Sequence, residues 1–376
     1  MNMTNIRMIK NELLCYGVNC NKNIFNKIKT INPYASSNKS VHAAFFLLDN
    51  DVWVNSPINE TYTRNSPYSI RFDKDQFVLY KSQDKICKIT IPNPPKWYEQ
   101  RTLNGTKMYD VLCVHSKNVL SLTHYINCYY SKIGKKCLYC SVTENKTSQL
   151  LDIEIRKQDI VETLIEALKE NSDYSLALSE GVKNRNDRGA VYFSSILQKI
   201  LESNILIKSS VELAPPKNDA YIDLLYSSGA TSIIMNIEFY DDNFRRAYCP
   251  GKGEIDTKRY FEVLNHSVKI FGMGNVASVL IAGIEPMDNT IKCAQLLLDS
   301  GVLPIIIPFK PYDNCNLSIS KTTSPENLAL ISEEIDKYFK NKNFSNICNG
   351  TCISCGACNV DYYLQRNDKV CLKEAN

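Results

Sequence analysis

The sequence predicts an α/β fold built on a partial (β/α)6 barrel, with a small β-rich module before it and a cysteine-bearing tail after it. Three observations support this. From about residue 118 apolar strands alternate with amphipathic helices. Six such strands are visible, fewer than the eight of a closed barrel. The first 117 residues lack this alternation and read instead as short strands separated by polar turns. The boundaries expected are 1–117, 118–341 and 342–376.

In the N-terminal module, Ala43–Val54, Tyr68–Phe72, Gln76–Lys81 and Ile86–Ile91 have the β-branched and aromatic content of strands. The barrel opens with strand Asn118–Asn127, which runs into Cys128. Helix Arg156–Asn171 follows, with Ile160, Val161, Leu164, Ile165 and Leu168 recurring at helical spacing. Next come strand Tyr174–Ser179, helix Gly189–Glu202, strand Ile205–Leu213 and helix Asn218–Tyr226. Strand Thr231–Glu238 leads to helical stretches Asp241–Ala247 and Asp256–Ile270. Strand Asn275–Ala282, helix Met287–Asp299, strand Val302–Pro308 and helix Ser324–Lys340 complete the series.

Composition excludes several classes. Of 376 residues, 44% are hydrophobic and 22% charged, ordinary globular values. Lys+Arg exceed Asp+Glu by 44 − 40 = 4, which makes no electrostatic case for a nucleic-acid partner. The apolar run Val302–Phe309 is interrupted by Pro304 and Pro308 and is far short of the ~20 residues of a membrane span. Met1–Lys22 has no apolar signal region, so a cytoplasmic chain with reduced thiols is expected.

Against that background the 15 cysteines require an account. Cys128, Cys137 and Cys140 form a C-x8-C-x2-C group, and Cys348, Cys352, Cys355 and Cys358 a C-x3-C-x2-C-x2-C group. The remaining eight, including Cys249 and Cys371, are scattered and read as small buried apolar residues, Cys371 being near enough in sequence to serve as a substitute ligand. Four thiols in eleven residues are the pattern of a metal centre, either tetrahedral zinc or an iron–sulfur cluster. Three thiols leave one coordination position open, the arrangement of a reactive site. His115 and His124 are alternative fourth ligands there, or ordinary imidazoles.

Active sites of parallel α/β folds lie at the carboxyl ends of the strands. Cys128 lies at such an end, as do Ser179-Glu180-Gly181, Glu212, Glu238 and Gly283-Ile284-Glu285. Arg245, Arg246 and Lys252 read as solvated helix-end charges or as groups that meet an anionic partner.

The stretches INCYYSKIGKKCLYCSV, DRGAVYF, VELAPP, NIEFYDDNFRRAYCPGKG and CISCGAC resemble the radical SAM enzymes, within them the biotin-synthase-related branch, and are similar to the two-component lipoyl synthases. The resemblance runs from about Tyr68 to Cys358. The first cysteine spacing is x8 where the family signature has x3, and Ser179-Glu180-Gly181 stands where the family has Gly-Gly-Glu. The resemblance implies that Cys128, Cys137 and Cys140 hold a [4Fe–4S] cluster whose open iron takes S-adenosylmethionine. Tyr139, Ser179, Glu180, Gly181, Glu212, Arg245, Ile281 and Gly283 would contact that cofactor. It implies reductive cleavage to a 5′-deoxyadenosyl radical, abstraction of a substrate hydrogen, and sulfur insertion. The sulfur source would be a second iron–sulfur cluster on Cys348, Cys352, Cys355 and Cys358. It also implies a one-electron donor such as ferredoxin or flavodoxin, and a carrier protein or second synthase component. The readings left open are a radical enzyme of another class, with an electron-transfer or structural cluster, and a zinc-stapled α/β binding protein.

Overall fold

The computed structural model describes residues 3–31, 43–48, 52–122, 128–141, 153–179, 181–313, 315–317, 322–340 and 351–360; the side chains of 3–4, 153–155 and 352 are not among those described. The chain begins with helices α1 (Met3–Tyr16) and α2 (Lys22–Ile31). Strands β1 (Ala43–Leu47) and β2 (Trp53–Pro57) form an antiparallel hairpin. Strands β3 (Tyr68–Asp73), β4 (Gln76–Lys81) and β5 (Asp84–Ile89) form an antiparallel meander.

A short helix α3 (Met108–Val111) leads to β6 (Leu112–Ser116), β7 (Val119–Leu122) and the turn of helix α4 (Tyr129–Lys132). The alternating part follows. It comprises α5 (Ile153–Glu170), β8 (Ser175–Ser179), α6 (Ala190–Glu202), β9 (Ser209–Glu212), α7 (Ala220–Ser227) and β10 (Ser232–Ile234). Next are α8 (Asp242–Tyr248), α9 (Thr257–Phe271), β11 (Val276–Ala282), α10 (Met287–Asp299), β12 (Leu303–Pro308) and α11 (Pro325–Lys340). One turn, α12 (Cys352–Cys355), lies in the tail.

Strands β6 to β12 make one curled seven-stranded sheet in sequential order. β7 to β12 are parallel and β6 is antiparallel to β7. The expected partial α/β barrel of six parallel strands is therefore present, with an antiparallel strand added at its first edge. Leu120, Leu176, Leu178, Val211, Ile233, Val276, Leu280, Leu303 and Ile306 are all buried, as strands covered on both faces require. In α5, Ile160, Val161 and Leu164 are buried as their spacing predicts, but Ile165 is exposed.

Three local expectations need correction. Ala43–Val54 is not one strand but two, β1 and β2, paired antiparallel, and the sequence between them holds Asp49, Asn50 and Asp51, residue types that favour turns. Thr231–Glu238 is a strand only over β10, because beyond it Ser278 Oγ accepts the Ile237 N–H (3.0 Å) and Glu238 takes φ +66°. The N-terminal module also carries α1, whose amphipathic pattern is obscured by three buried polar residues, Lys10, Asn11 and Glu12. Glu12 is held by the Tyr68 hydroxyl and by Lys81 (2.8 Å), and Lys10 by the Gly356 carbonyl.

Residues 351–360 lie between the N-terminal hairpin and the last barrel strand. The Asn55 N–H donates to Ala357 O (3.0 Å), and the Val360 N–H to Ile306 O of β12 (3.1 Å).

Candidate active site

The carboxyl ends of β8 to β11 carry a chain of polar contacts. Ser179 and Glu212 are register partners, and Ser179 Oγ donates to Glu212 Oε2 (2.8 Å). Asn236 Nδ2 donates to Glu212 Oε1 (2.6 Å), and Asn236 Oδ1 accepts the Val279 N–H (3.3 Å). The structure thus brings Ser179 and Glu212 together, and it adds Asn236, which the sequence reading overlooked. An amide at the end of a strand carries no spacing signal, so only the register could reveal it. Gly181 is half-buried beside them, and Glu180 lies outside the described residues.

The cysteine loop packs on the same end of the sheet. Cys128 precedes α4, whose Tyr129 N–H donates to Val182 O (2.6 Å) after β8. The Leu138 N–H donates to Tyr248 O (2.9 Å), and the Cys140 N–H to Cys137 O (3.1 Å). Cys128, Cys137 and Cys140 are all half-buried. Phe239, Cys249, Ile281 and Phe309 form a small apolar cluster, and Cys137 and Tyr139 pack against it. Ile281, at the end of β11, thus shares this cluster with two residues of the cysteine loop. Tyr139 meets Phe239 edge-on (6.1 Å between centroids).

Cys249 is not a plain core cysteine. It hydrogen-bonds Cys137, and its sulfur lies 3.4 Å from the Tyr139 hydroxyl. The Cys249 hydrogen bond, helped by the Lys252 charge, draws the Cys137 thiol below its ordinary value although burial opposes the shift. Cys249 itself is pushed up by burial. Lys252 is no solvated charge: its ammonium pairs with the buried carboxylate of Glu238 beside these thiols.

Arg245, expected at the cofactor, is fully buried. Its guanidinium donates to Phe239 O (2.6 Å), Ile255 O (3.2 Å), Thr257 Oγ1 (2.8 Å) and the Asp242 carboxylate, which makes it the brace of the loop between β10 and α9. Arg246 is exposed and donates to Asn243 Oδ1 (2.8 Å). Gly283 takes φ +100°, and a Cβ there would lie 2.8 Å from Thr323. Glu285 accepts the N–H groups of Tyr240 (3.0 Å) and Asp241 (3.3 Å), and burial raises its carboxyl above the usual range.

Among the described residues no three His, Cys, Asp or Glu side chains converge as a single ion requires. A four-iron cluster makes a different demand, since each thiolate binds its own iron and the ligands stand apart. Three half-buried thiols on one loop, an apolar wall and a half-buried lysine beside them fit such an anionic group. Next to this loop a cleft of about 750 Å³ is lined by Tyr16, Tyr62, Tyr312, Asp313, Cys315 and Leu317. Cys315 and Leu317 also pack on the apolar cluster that holds Cys137 and Tyr139.

The tail cysteines occupy a separate place. Cys355 and Cys358 are half-buried, and Asn55 Nδ2 donates to Cys358 Sγ (3.3 Å). Burial alone would raise the Cys358 thiol. A hydrogen bond from His115, the Lys310 charge and the Asn55 contact overcome it and bring the thiol to about 7. Burial and the neighbouring Cys358 push Cys355 up to about 11. His115, considered above for the first cysteine group, thus lies at the second. Cys348, Cys371 and His124 lie outside the described residues, as does the side chain of Cys352.

No helix among the described residues is long and apolar enough to cross a membrane. No protein-family model matches the chain. Among solved structures it is similar to HydG, a maturase of the [FeFe]-hydrogenase (TM-score 0.44, 16% identity, 60% of this chain and 50% of that one). It is also similar to a radical SAM methyltransferase from Sphaerobacter thermophilus (TM-score 0.43, 13% identity, 72% of this chain and 75% of that one). The chain spans half the length of the HydG structure it matches. In sequence it is similar to bacteriochlorophyllide c C-7(1)-hydroxylase of Chlorobaculum limnaeum, 20% identical over 302 residues that make up 74% of this chain and 75% of that protein.

Proposed function

We propose that the protein is a radical SAM enzyme acting on an unreactive carbon–hydrogen bond. The observation that carries this is the placement, at the same carboxyl end of a partial barrel, of the Cys128–Cys137–Cys140 loop and of the Ser179–Glu212–Asn236 polar chain. In this reading the three cysteines hold a [4Fe–4S] cluster with one open iron. Bound there, the cluster and S-adenosylmethionine supply reductive cleavage of the sulfonium and a carbon radical that takes a substrate hydrogen.

The chain's own residues bind, orient and shield. Glu212, fixed at both oxygens by Ser179 and Asn236, presents an oriented carboxylate to the polar end of the cofactor. Phe239, Ile281 and Phe309 exclude water from the cysteine loop. The buried Glu238 and the half-buried Lys252 provide an ion pair beside Cys137. The cleft of about 750 Å³, whose Cys315 and Leu317 pack on the same apolar cluster as Cys137 and Tyr139, receives the substrate.

The step after hydrogen abstraction has two readings. Sulfur insertion follows from the tail cysteines, with a second cluster on Cys348, Cys352, Cys355 and Cys358 as donor, and with a carrier protein presenting the substrate. The similarity to an enzyme named as a hydroxylase favours oxygen insertion instead. Both need a one-electron donor of the ferredoxin or flavodoxin kind.

Anaerobic reconstitution with iron and sulfide, followed by reduction in the presence of S-adenosylmethionine, tests the common step. Formation of 5′-deoxyadenosine is expected, and Cys137→Ala abolishes it. A chain that takes up zinc but no iron and sulfide, and releases no 5′-deoxyadenosine, overturns the reading in favour of a zinc-stapled binding protein.

A further inference from the structure

We propose that His115, carried on a bulge of β6, is the hydrogen-bond donor that positions the Cys358 sulfur in the C-terminal thiol centre, with Asn55 as its second donor. This rests on the reading that the tail cysteines hold a metal–sulfur centre.

The first support is the backbone. β6 and β7 pair regularly from Leu112 to Val114, then shift register before Ser116, so His115 is the inserted residue of the bulge. A bulge re-aims side chains at the cost of a ladder contact, and bulges cluster beside functional sites. Here two consecutive residues are brought to the tail: His115 hydrogen-bonds Cys358 and Ser116 hydrogen-bonds Cys355. In a regular strand neighbouring side chains face opposite sides of the sheet, so one loop could not meet both.

The second support is the convergence of distant segments on one sulfur. Asn55 of β2 reaches Cys358 with its side chain, and its backbone N–H fixes Ala357 (3.0 Å). Lys310, just after β12, donates to Asn55 O (3.3 Å) and sets its charge near Cys358. Lys10 of α1 holds Gly356, the residue between the two cysteines that takes φ +67°. A neutral thiol is a weak acceptor and does not need donors from two strands and a cation. A sulfur that carries negative charge does, and outer hydrogen bonds of this kind orient metal ligands and tune the centre.

The test uses the full chain with Cys137→Ala, which empties the first cysteine group, so that remaining iron reports the tail alone. Iron and labile sulfide are measured after anaerobic reconstitution, and the reduction potential by spectroelectrochemical titration. We expect the Cys137→Ala chain to retain a cluster. Adding His115→Ala should weaken iron retention about 10–100-fold, the usual effect of losing an outer-shell partner, and move the potential to more negative values. His115→Asn, which keeps an N–H donor, should recover part of both. A His115→Ala chain with unchanged iron retention and potential overturns the role of His115 while leaving the centre intact. Absence of iron in the Cys137→Ala chain, when the unmodified chain binds it, overturns the tail centre and this assignment with it.

Discussion

Replacing Arg245 by Met separates two roles for this side chain, cofactor contact and internal brace. The structure supports the brace, and its energetic worth follows from the contacts. Removing the guanidinium strands the buried carbonyls of Phe239 and Ile255, at about 1–3 kcal/mol each. The cation over Tyr260 (4.9 Å) adds about 0.5–2 kcal/mol. Asp242 is 32% exposed, so loss of its ion pair is screened and costs no more than about 1 kcal/mol. Thr257 Oγ1 keeps its bonds to Tyr240 O (3.0 Å) and Asp242 (2.7 Å) and adds nothing. Methionine fills most of the stem volume, so cavity terms are small. The expected loss is about 2.5–9 kcal/mol, a large part of the ~5–15 kcal/mol that holds a domain together. Urea unfolding followed by circular dichroism, without cofactor, measures it. Arg245→Lys should recover only a fraction, because an ammonium cannot reproduce the planar fork. An Arg245→Met chain that unfolds at the wild-type urea midpoint yet binds S-adenosylmethionine tenfold more weakly would refute the brace and restore the cofactor contact.

Other perturbations have equally definite outcomes. Gly251→Ala places a Cβ 2.2 Å from the Tyr130 ring and should cost about 1–3 kcal/mol, visible as a lowered Tm and reduced iron uptake by the cysteine loop. Lys252→Met leaves the Glu238 carboxylate buried and unpaired, a loss of about 3–5 kcal/mol in urea unfolding that the added change Glu238→Gln should largely reverse. Burial raises the Glu285 carboxyl above its ordinary value of 4.5, so the folded chain keeps a proton that the unfolded chain has released. Its contribution to stability is complete below that value and declines as pH rises through the raised one; Glu285→Gln should flatten this part of a Tm-against-pH curve.

The barrel was legible because its signal is periodic. Buried parallel strands leave continuous apolar runs, and each helix between them repeats its apolar face every three or four residues. The cysteine loop was legible because thiol spacing is unusual. What escaped has a common cause. Cys249 looked like filler because its partner, Cys137, is distant in sequence and meets it only once α8 closes over the loop. Arg245 looked available because a cationic side chain in a polar stretch gives no sign that two backbone carbonyls will claim it. Lys252 reads as solvated in the sequence because its partner, Glu238, falls in an expected strand that in the structure ends at Ile234. α1 escaped because Lys10 and Glu12 lie inside, each satisfied by a residue far along the chain.

The tail shows how such distant pairings bear on architecture. A sheet of seven strands that does not close leaves two edges, β6 and β12, and exposed edges invite mispairing. Residues 351–360 touch both. The Val360 N–H caps the β12 edge at Ile306, while Cys355 and Cys358 lie against Ser116 and His115 at the β6 edge. The segment therefore spans the open side of the barrel, and its thiols sit where the two edges come within reach of one short loop. Cys355 and Cys358 therefore have a physical reason to lie there. The proposed centre, if it ties Cys355 and Cys358 together, also ties the two edges, so Cys358→Ala should lower the Tm of the barrel that carries the first cysteine loop.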